Sequence, residues 1–266
     1  MNIFDIIIFS LTQALTEFLP ISSSGHLILL AYFKDIPSNL AFDVALHLGT
    51  VLAILIYFYK DIWQIIIGFF INLKTPSNLK TSLVPQIIIA TIPAVVVGGL
   101  IAYFKIADFL RILPIIGINL IVFGILLYFI DKKSNQKIVL FNINYKQSIL
   151  VGLAQALALV PGVSRSGICF TMGRFLGIEK SSAIRFSFFI SIPAILGAAF
   201  LELVKESTVS SFDIMPFLIG AVLSFFFGLL VIKFLMIFIQ KFSFKVFAIY
   251  RVLLGLFVLY YYYFGL

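Results

Sequence analysis

The chain has 266 residues, of which 62% are hydrophobic and only 11% are charged. An average soluble domain carries roughly 25% charged residues, and one core of this size cannot hide so many apolar side chains. This composition excludes a water-soluble fold and predicts a polytopic membrane protein. The formal net charge of +8 comes from Lys and Arg in short loops between apolar runs, which favours membrane topology over nucleic-acid binding.

The first apolar stretch, residues 3–33, is interrupted by Pro20 and by the serines and glycine of residues 22–25. Each half is shorter than the ~20 residues that a helix needs to cross a bilayer, and Pro and Gly end helices. We therefore expect a re-entrant hairpin that returns to the side from which it entered. Three full spans are predicted to follow, at about residues 40–59, 84–104 and 112–130.

The second half of the chain repeats this order. Residues 148–176 are apolar but interrupted by Pro161, Gly162, Ser164 and Gly167, which predicts a second re-entrant hairpin. Further spans are predicted at about residues 182–201, 214–238 and 246–264. The expected fold class is all-α, with six transmembrane helices and two re-entrant helical hairpins.

The two hairpins resemble each other in sequence. QALTEFLPISSSG, which begins at Gln13, resembles QALALVPGVSRSG, which begins at Gln155, at an offset of 142 residues. Because each half contains an odd number of spans, the second half is expected to be inverted relative to the first. The chain is therefore predicted to be a single integral membrane domain made of inverted repeats, approximately 1–133 and 146–266.

The distribution of charge predicts the orientation, because cytoplasmic loops collect Lys and Arg. One set of loops and helix ends is strongly basic; it contains Lys60, Lys74, Lys80, Lys132, Lys133, Lys137, Lys146, Lys180, Arg185, Lys241, Lys245 and Arg251. The other set holds Lys34, Lys105, Arg111 and Lys205, diluted by acidic residues. The first set is predicted to face the cytoplasm, which places both termini outside and points the first hairpin inward from the exterior.

Polar side chains cluster at the break of the first hairpin, where Glu17, Ser22, Ser23, Ser24 and His26 lie within ten residues. Ionisable groups at membrane depth are costly, so they indicate function. Ser23 and His26 are three residues apart, share one face of a helical turn, and are candidates for a nucleophile and its base. The alternative is a serine that only caps the next helix, which requires neither histidine nor carboxylate.

Arg165 stands between two serines at the tip of the second hairpin, in the segment PGVSRSG. An unpaired guanidinium is unfavourable there, and the tip is poorly placed for snorkelling to an interface. A planar guanidinium beside hydroxyls and helix N-terminal amides suits a phosphate. Together with Arg165, the predicted substrate-binding residues are Ser22, Gly162, Ser164 and Ser166.

These motifs resemble those of the bacterial undecaprenyl pyrophosphate phosphatases linked to bacitracin resistance, and the resemblance covers nearly the whole chain. The family's Glu/Gln-x-x-x-Glu motif matches Gln13 and Glu17, its Ser-Ser-x-Gly-His motif matches residues 22–26, and its PGxSRS motif matches residues 161–166. The resemblance implies removal of the terminal phosphate of a C55 isoprenoid diphosphate. This reaction supplies the lipid carrier for peptidoglycan and other envelope polymers.

The resemblance also implies a location and partners. The protein is expected in the bacterial plasma membrane, surrounded by membrane lipids, with its active site accessible from the outer, periplasmic face. The C55 diphosphate lipid is the expected partner, nucleic acid is not, and a homodimer is a further expectation.

A mechanism follows from the same residues. Arg165 and the amides of the second hairpin would hold the diphosphate while Ser23 attacks the terminal phosphorus and His26 takes the serine proton. Glu17 either orients His26 or, with Gln13, coordinates a divalent cation, and the resemblance implies Mg²⁺ or Ca²⁺. His26 itself or a metal-activated water would use the same residues, so the identity of the nucleophile stays open.

One position departs from the family pattern, which usually has Thr three residues after the second serine of the SRS motif. This chain has Cys169 there. The thiol either replaces the hydroxyl as a weak donor or only packs, and we favour packing.

Asp43 and His47 are four residues apart on a predicted helix, so their side chains lie on one face. The favoured interpretation is a pair that stabilises the span.

A rival function belongs to another class of protein. Inverted repeats with broken helices are also the plan of secondary transporters, and a lipid-phosphate flippase would need the same Arg165. Transport does not require a serine and histidine pair, so the first hairpin favours hydrolysis.

Overall fold

The computed structural model describes residues 2–36, 40–74, 82–133, 137–206 and 214–265. Within these ranges the chain is helical, and strand-type pairing is limited to one isolated bridge between Ile138 and Ile178. The helices are α1 Ile3–Phe18, α2 Ser23–Phe33, α3 Leu40–Tyr57, α4 Tyr59–Lys74, α5 Val84–Tyr103, α6 Ala107–Leu110, α7 Leu113–Lys133, α8 Tyr145–Leu157, α9 Arg165–Phe175, α10 Lys180–Glu206, α11 Met215–Lys241 and α12 Lys245–Phe264. The prediction of an all-helical polytopic membrane protein is confirmed.

The long apolar helices correspond to the predicted spans. Among the described residues, α5, α7, α10, α11 and α12 are each long and apolar enough to cross a membrane, and α3 with α4, bent by 78°, makes a sixth if the bent pair is one span. The separate helix α4 was not predicted. Lys60 and Asp61 follow the bend directly, in the first turn of α4.

Each predicted hairpin returns to the side from which it enters. At the open end of the first hairpin, Lys34 after α2 forms an ion pair with Asp5 near the start of α1, with 2.8 Å between Nζ and Oδ1. In the second hairpin, Gln147 at the start of α8 donates to the carbonyl of Leu176 after α9 at 3.5 Å. Neither hairpin therefore crosses the full thickness of the bundle.

Helix α12 shows that the two hairpins enter from opposite ends. Near its C-terminus, the ring of Tyr261 contacts Phe33 at the open end of the first hairpin, with centroids 5.2 Å apart. At its N-terminus, the Phe244 amide donates to Asp131 Oδ2 at 3.0 Å, and Asp131 also pairs with Arg174 near the end of α9. The two breaks therefore meet between the ends of α12, as an inverted repeat predicts, while the repeat boundaries at 133 and 146 stay a prediction.

Close helix contacts at glycine hold this arrangement. A Cβ at Gly49 of α3 would lie 2.1 Å from the carbonyl oxygen of Ala221 in α11, and a Cβ at Gly152 of α8 would lie 2.5 Å from that of Ala90 in α5. Small residues permit such backbone approach between membrane helices, where packing rather than the hydrophobic effect drives association. These contacts join α3 to α11 and α8 to α5, and each therefore pairs a helix of one half with a helix of the other.

One residue in the charge argument was placed wrongly. Arg251 was counted among the basic residues of the cytoplasmic face, but its side chain is 0% exposed in the interior of α12. Lys80, in the same set, lies outside the described residues. The predicted orientation therefore rests on the other basic residues.

The orientation can be tested with single cysteines in a Cys169→Ala background. Ile106→Cys, in the exposed link between α5 and α7, should react with an impermeant thiol reagent added outside intact cells, whereas Ser243→Cys, between α11 and α12, should not. Both should react after the membrane is permeabilised, which controls for local accessibility. Labelling of Ser243→Cys from outside, with no labelling of Ile106→Cys, would reverse the orientation.

Candidate active site

The two hairpin breaks have the same unusual backbone conformation. Ser22 and Ser164 precede α2 and α9 with φ angles of 79° and 71°, a region that side-chain-bearing residues rarely occupy. Each serine caps its helix, because its Oγ accepts from the amide three residues later, Gly25 N at 3.4 Å and Gly167 N at 3.2 Å. Strained backbone of this kind concentrates at functional sites.

Three of the predicted substrate-binding residues bind the breaks to each other. The amide of Gly162 donates to Ser22 Oγ at 3.2 Å, and Ser166 Oγ donates to the carbonyl of Leu19 at 3.1 Å. Gly162 has a φ of +90°, and a Cβ there would lie 2.6 Å from the Ile116 carbonyl oxygen. The polar groups of Gly162, Ser22 and Ser166 therefore hydrogen-bond to other parts of the protein. Of the predicted phosphate-binding serines, Ser164 is the one that lines the cavity.

A cavity of about 390 Å³ opens beside the breaks. Its polar lining comes from both hairpins and from α3 and the segment before α7: Glu17, Ser23, Ser24, Asp43, His47, Arg111, Gln155, Ser164 and Arg165. The remaining wall is apolar and includes Leu27, Ile28, Val44, Ala94, Ile101, Ala194, Ile195 and Ala198. Concave sites with apolar walls and a few convergent polar groups are typical of ligand-binding sites.

The buried carboxylate of Glu17 is the centre of the polar cluster. Its Oε1 accepts from Arg165 Nη2 at 2.5 Å, and its Oε2 accepts from Ser23 Oγ at 2.7 Å and from Gln13 Nε2 at 3.2 Å. His47 Nε2 lies 3.4 Å from the same Oε2. Glu17 is therefore in hydrogen-bond contact with the candidate nucleophile, which is the geometry that a general base requires.

Arg165 joins the two hairpins to α10. Besides its contact with Glu17, its Nη1 donates to the carbonyl of Ser187 at 2.8 Å. A guanidinium has five N–H donors, so these two bonds leave donors for a phosphate in the cavity that Arg165 lines. A carboxylate, a hydroxyl and a guanidinium that are distant in sequence therefore meet at one point.

His26 has partners other than Ser23. Its Nδ1 lies 2.7 Å from the carbonyl oxygen of Ser22, its Nε2 lies 2.7 Å from the hydroxyl oxygen of Tyr250, and its ring stacks on that of Tyr250. Both ring nitrogens are therefore occupied in a way that suits a neutral imidazole with its hydrogen on Nδ1. The structure pairs the Ser23 hydroxyl with Glu17, whereas the sequence spacing had paired it with His26.

Sequence reasoning missed the role of α3 in the cavity. Asp43 and His47 were interpreted as a pair that stabilises a span, but both line the cavity and their side chains face different partners. His47 Nδ1 binds the carbonyl oxygen of Asp43 at 2.7 Å, and Asp43 Oδ2 lies 3.8 Å from Arg111 Nη2. The four-residue spacing was the available signal, but it cannot show which partner each side chain faces.

Helix N-termini add positive potential to the cavity. Helices α2 and α9, of eleven residues each, both begin beside it, since Ser23, Ser24 and Arg165 lie in their first turns and line its wall. The free amides of a helix N-terminus carry partial positive charge and bind anions. Two such termini beside Arg165 make the cavity suitable for a phosphate group.

The metal site predicted from the sequence consists of two side chains, Gln13 and Glu17. Among the described residues, no group of three or more His, Cys, Asp and Glu is placed to bind a metal. Both oxygens of Glu17 already accept hydrogen bonds, and the Gln13 carbonyl oxygen is the one buried acceptor of this pair without a partner in the described chain. The metal site predicted on Gln13 and Glu17 therefore stays a prediction, and we derive no step from it.

Cys169 belongs to α9, packs in the apolar core and is 1% exposed. Thr171, two positions later, donates its hydroxyl to the carbonyl of Gly167 at 2.7 Å within the same helix. Neither residue lines the cavity. The environment of Cys169 is therefore that of a packed side chain.

The two hairpins differ in the side chains that they place at matching positions. The offset that carries Gln13 onto Gln155 carries Glu17 onto Leu159, and both Glu17 and Leu159 line the cavity. The second hairpin therefore contributes a cation and amides but no carboxylate at the matching position.

Comparison with known proteins agrees with this geometry. The family model described as bacitracin resistance protein BacA matches residues 6–257. The chain belongs to this family. It is 42% identical over 263 residues to an undecaprenyl-diphosphatase of Caldicellulosiruptor bescii, which covers 98% of both chains. It is also 41% identical over 271 residues to an undecaprenyl-diphosphatase of Geotalea daltonii, which covers 100% of both chains.

Proposed function

We propose that the protein hydrolyses undecaprenyl diphosphate to undecaprenyl phosphate and inorganic phosphate. The observation that carries the proposal is the contact of Ser23 and Arg165 with the two oxygens of Glu17 inside a cavity that also has an apolar wall. A membrane cavity that places a hydroxyl, a base and a guanidinium together suits phosphoryl transfer from a lipid diphosphate. The names of the relatives favour hydrolysis over the flippase alternative.

The substrate has a charged diphosphate and an apolar isoprenoid chain, and the cavity has polar and apolar walls that match these two parts. The diphosphate would lie at the hairpin breaks, where Arg165 and the N-termini of α2 and α9 supply positive charge. The isoprenoid would lie along the apolar wall, on side chains such as Leu27, Ile28 and Ile195. Asp43, in the first turn of α3, and Arg111, in the segment before α7, line the cavity where the headgroup would enter.

The first chemical step uses the bonds already present. Ser23 Oγ attacks the terminal phosphorus while its proton passes to Glu17 Oε2, which it contacts at 2.7 Å. The bond from that phosphorus to the bridging oxygen breaks, and the electron pair leaves with undecaprenyl phosphate. Arg165 turns donors from Glu17 towards the phosphoryl oxygens, where they stabilise the charge of the transition state.

The second step restores the enzyme. Water attacks the phosphoserine, the bond between phosphorus and Ser23 Oγ breaks, and Oγ takes back the proton held by Glu17. Both hydrogens of the water leave with inorganic phosphate as dihydrogen phosphate. His26 takes no proton in this scheme; through its bond to the Ser22 carbonyl it orients the backbone next to Ser23.

The proposed location is the bacterial plasma membrane with the cavity open to the outer face. The support is that Asp43 and Arg111, which line the cavity, lie next to the loops that are poor in Lys and Arg. The cysteine labelling described above tests this orientation.

The direct test is an assay of purified protein in detergent with undecaprenyl diphosphate. We expect stoichiometric formation of undecaprenyl phosphate and inorganic phosphate, and no phosphate release from undecaprenyl phosphate itself. The assay is run with EDTA and after addition of Mg²⁺ or Ca²⁺, which tests the predicted cation dependence. Binding of the lipid without any release of phosphate would overturn the proposed function.

A further inference from the structure

Arg251 is a buried cation that the proposed chemistry does not use. It lies seven residues after Phe244 and thirteen before Phe264, which corresponds to about 10 Å and 20 Å of helix from the two ends. Its side chain is 0% exposed. A guanidinium this far inside a membrane bundle is costly, so its position requires compensating contacts.

Those contacts all lead to the hairpin breaks or to the helix beside them. Arg251 Nη1 donates to the carbonyl of Pro20 at 3.2 Å, in the first break. Its Nη2 donates to the carbonyls of Gly162 at 2.9 Å and Val163 at 2.8 Å, in the second break. A weaker bond of 3.4 Å reaches the carbonyl of Asn119 in α7.

These carbonyl groups belong to residues that come shortly before Ser23 and Arg165 in the sequence. Pro20 precedes Ser23 by three positions, and Val163 precedes Arg165 by two. The direct bonds between the breaks, from Gly162 to Ser22 and from Ser166 to Leu19, are 3.2 and 3.1 Å long. Arg251 adds bonds of 2.8 and 2.9 Å to the second break and one of 3.2 Å to the first, so one guanidinium contacts the backbone of both breaks.

We propose that Arg251 is a positioning residue that sets the distance between the two hairpin breaks, and thereby the placement of Ser23 relative to Arg165. This inference rests on the proposed phosphatase function. The planar guanidinium spans both breaks at once, which a single ammonium group cannot do. Displacement of a reacting group by about 1 Å is enough to lower the rate of an enzyme about a hundredfold.

The test compares Arg251→Lys with wild type in the phosphate-release assay. Lysine keeps the charge but loses the fork, so we expect a fall in kcat of about tenfold to a hundredfold with KM changed by less than about threefold. A purely structural role would instead leave the kcat of the folded fraction unchanged. Arg251→Gln, which lacks the charge, serves as a second variant.

Arg174→Lys is the matched control. Arg174 is also almost fully buried, but it lies near the far end of α9, where it pairs with Asp131 at 3.6 Å and donates to the carbonyl of Ile178 at 3.1 Å. We expect this variant to lower the melting temperature while the folded protein keeps the wild-type kcat. Folded protein is measured by gel filtration and thermal unfolding for every variant.

The outcomes separate the two proposals. Failure of wild-type protein to release phosphate would overturn the proposed function, and the inference with it. An active wild type with an equally active Arg251→Lys would overturn the inference alone. If neither Arg251→Lys nor Arg251→Gln folds while Arg174→Lys does, the role is structural and the inference also fails.

Discussion

Arg165→Ala should lower kcat/KM for undecaprenyl diphosphate by at least about a hundredfold, because the variant loses the guanidinium that binds the phosphoryl oxygens as charge moves. Arg165 reaches Glu17 at 2.5 Å and the Ser187 carbonyl at 2.8 Å, so the substitution also leaves the buried carboxylate without its cation. Phosphate release over a range of lipid concentrations measures the loss. Arg165→Lys should also be impaired, since an ammonium cannot make the bidentate contact.

Arg185→Ala is the control for a general effect of removing an arginine from this region. Arg185 lies on α10 and pairs with Asp61 of α4 at 3.3 Å, and it does not line the cavity. Its loss should leave kcat/KM within about threefold of wild type, as expected for a partly exposed ion pair. Near-normal turnover by Arg165→Ala would contradict the phosphate-binding role.

Ser23→Ala should abolish phosphate release while the lipid diphosphate still binds. The variant removes the proposed nucleophile, but Arg165 and the N-termini of α2 and α9 remain to hold the anion. Single-turnover phosphate release and lipid binding are measured on the same preparation. Binding and turnover are expected to separate.

Ser10→Ala provides the matched control within the first hairpin. Its hydroxyl is also buried and donates to the carbonyl of Gly220 at 3.2 Å, away from the cavity. This variant should remain active. Full phosphate release by Ser23→Ala together with loss in His26→Ala would reject the serine and favour histidine or a metal-activated water as the nucleophile.

Sequence alone was enough to predict the helical hairpins and the pairing of two distant motifs. Pro20 and Pro161 interrupt apolar stretches that are too short on each side to cross a bilayer, and this pattern survives any error in helix boundaries. Glu17 and Arg165 were both selected because a charge at membrane depth requires a function or a partner. The structure shows that each is the partner of the other.

Contacts between distant helices were beyond sequence reasoning. Arg251 was interpreted as a basic residue of the cytoplasmic face because charge counting does not reveal depth, and its carbonyl partners belong to three other segments. The three-residue spacing predicted that His26 contacts Ser23, whereas in the structure its Nε2 lies beside the hydroxyl of Tyr250 in α12. Spacing along one helix identifies a shared face, but the neighbouring helices decide what that face touches.

The ion pair between Glu17 and Arg165 joins residues separated by 148 positions, and this has a consequence for synthesis of the protein. The first hairpin carries the proposed nucleophile and the carboxylate, whereas the second carries the guanidinium and has Leu159 where the first has Glu17. A nascent chain that ends before the second hairpin therefore holds the proposed nucleophile without the guanidinium proposed to bind the phosphate. We therefore expect the proposed catalytic centre to form only after the ribosome has completed more than half of the chain and the second hairpin has entered the membrane from the opposite side.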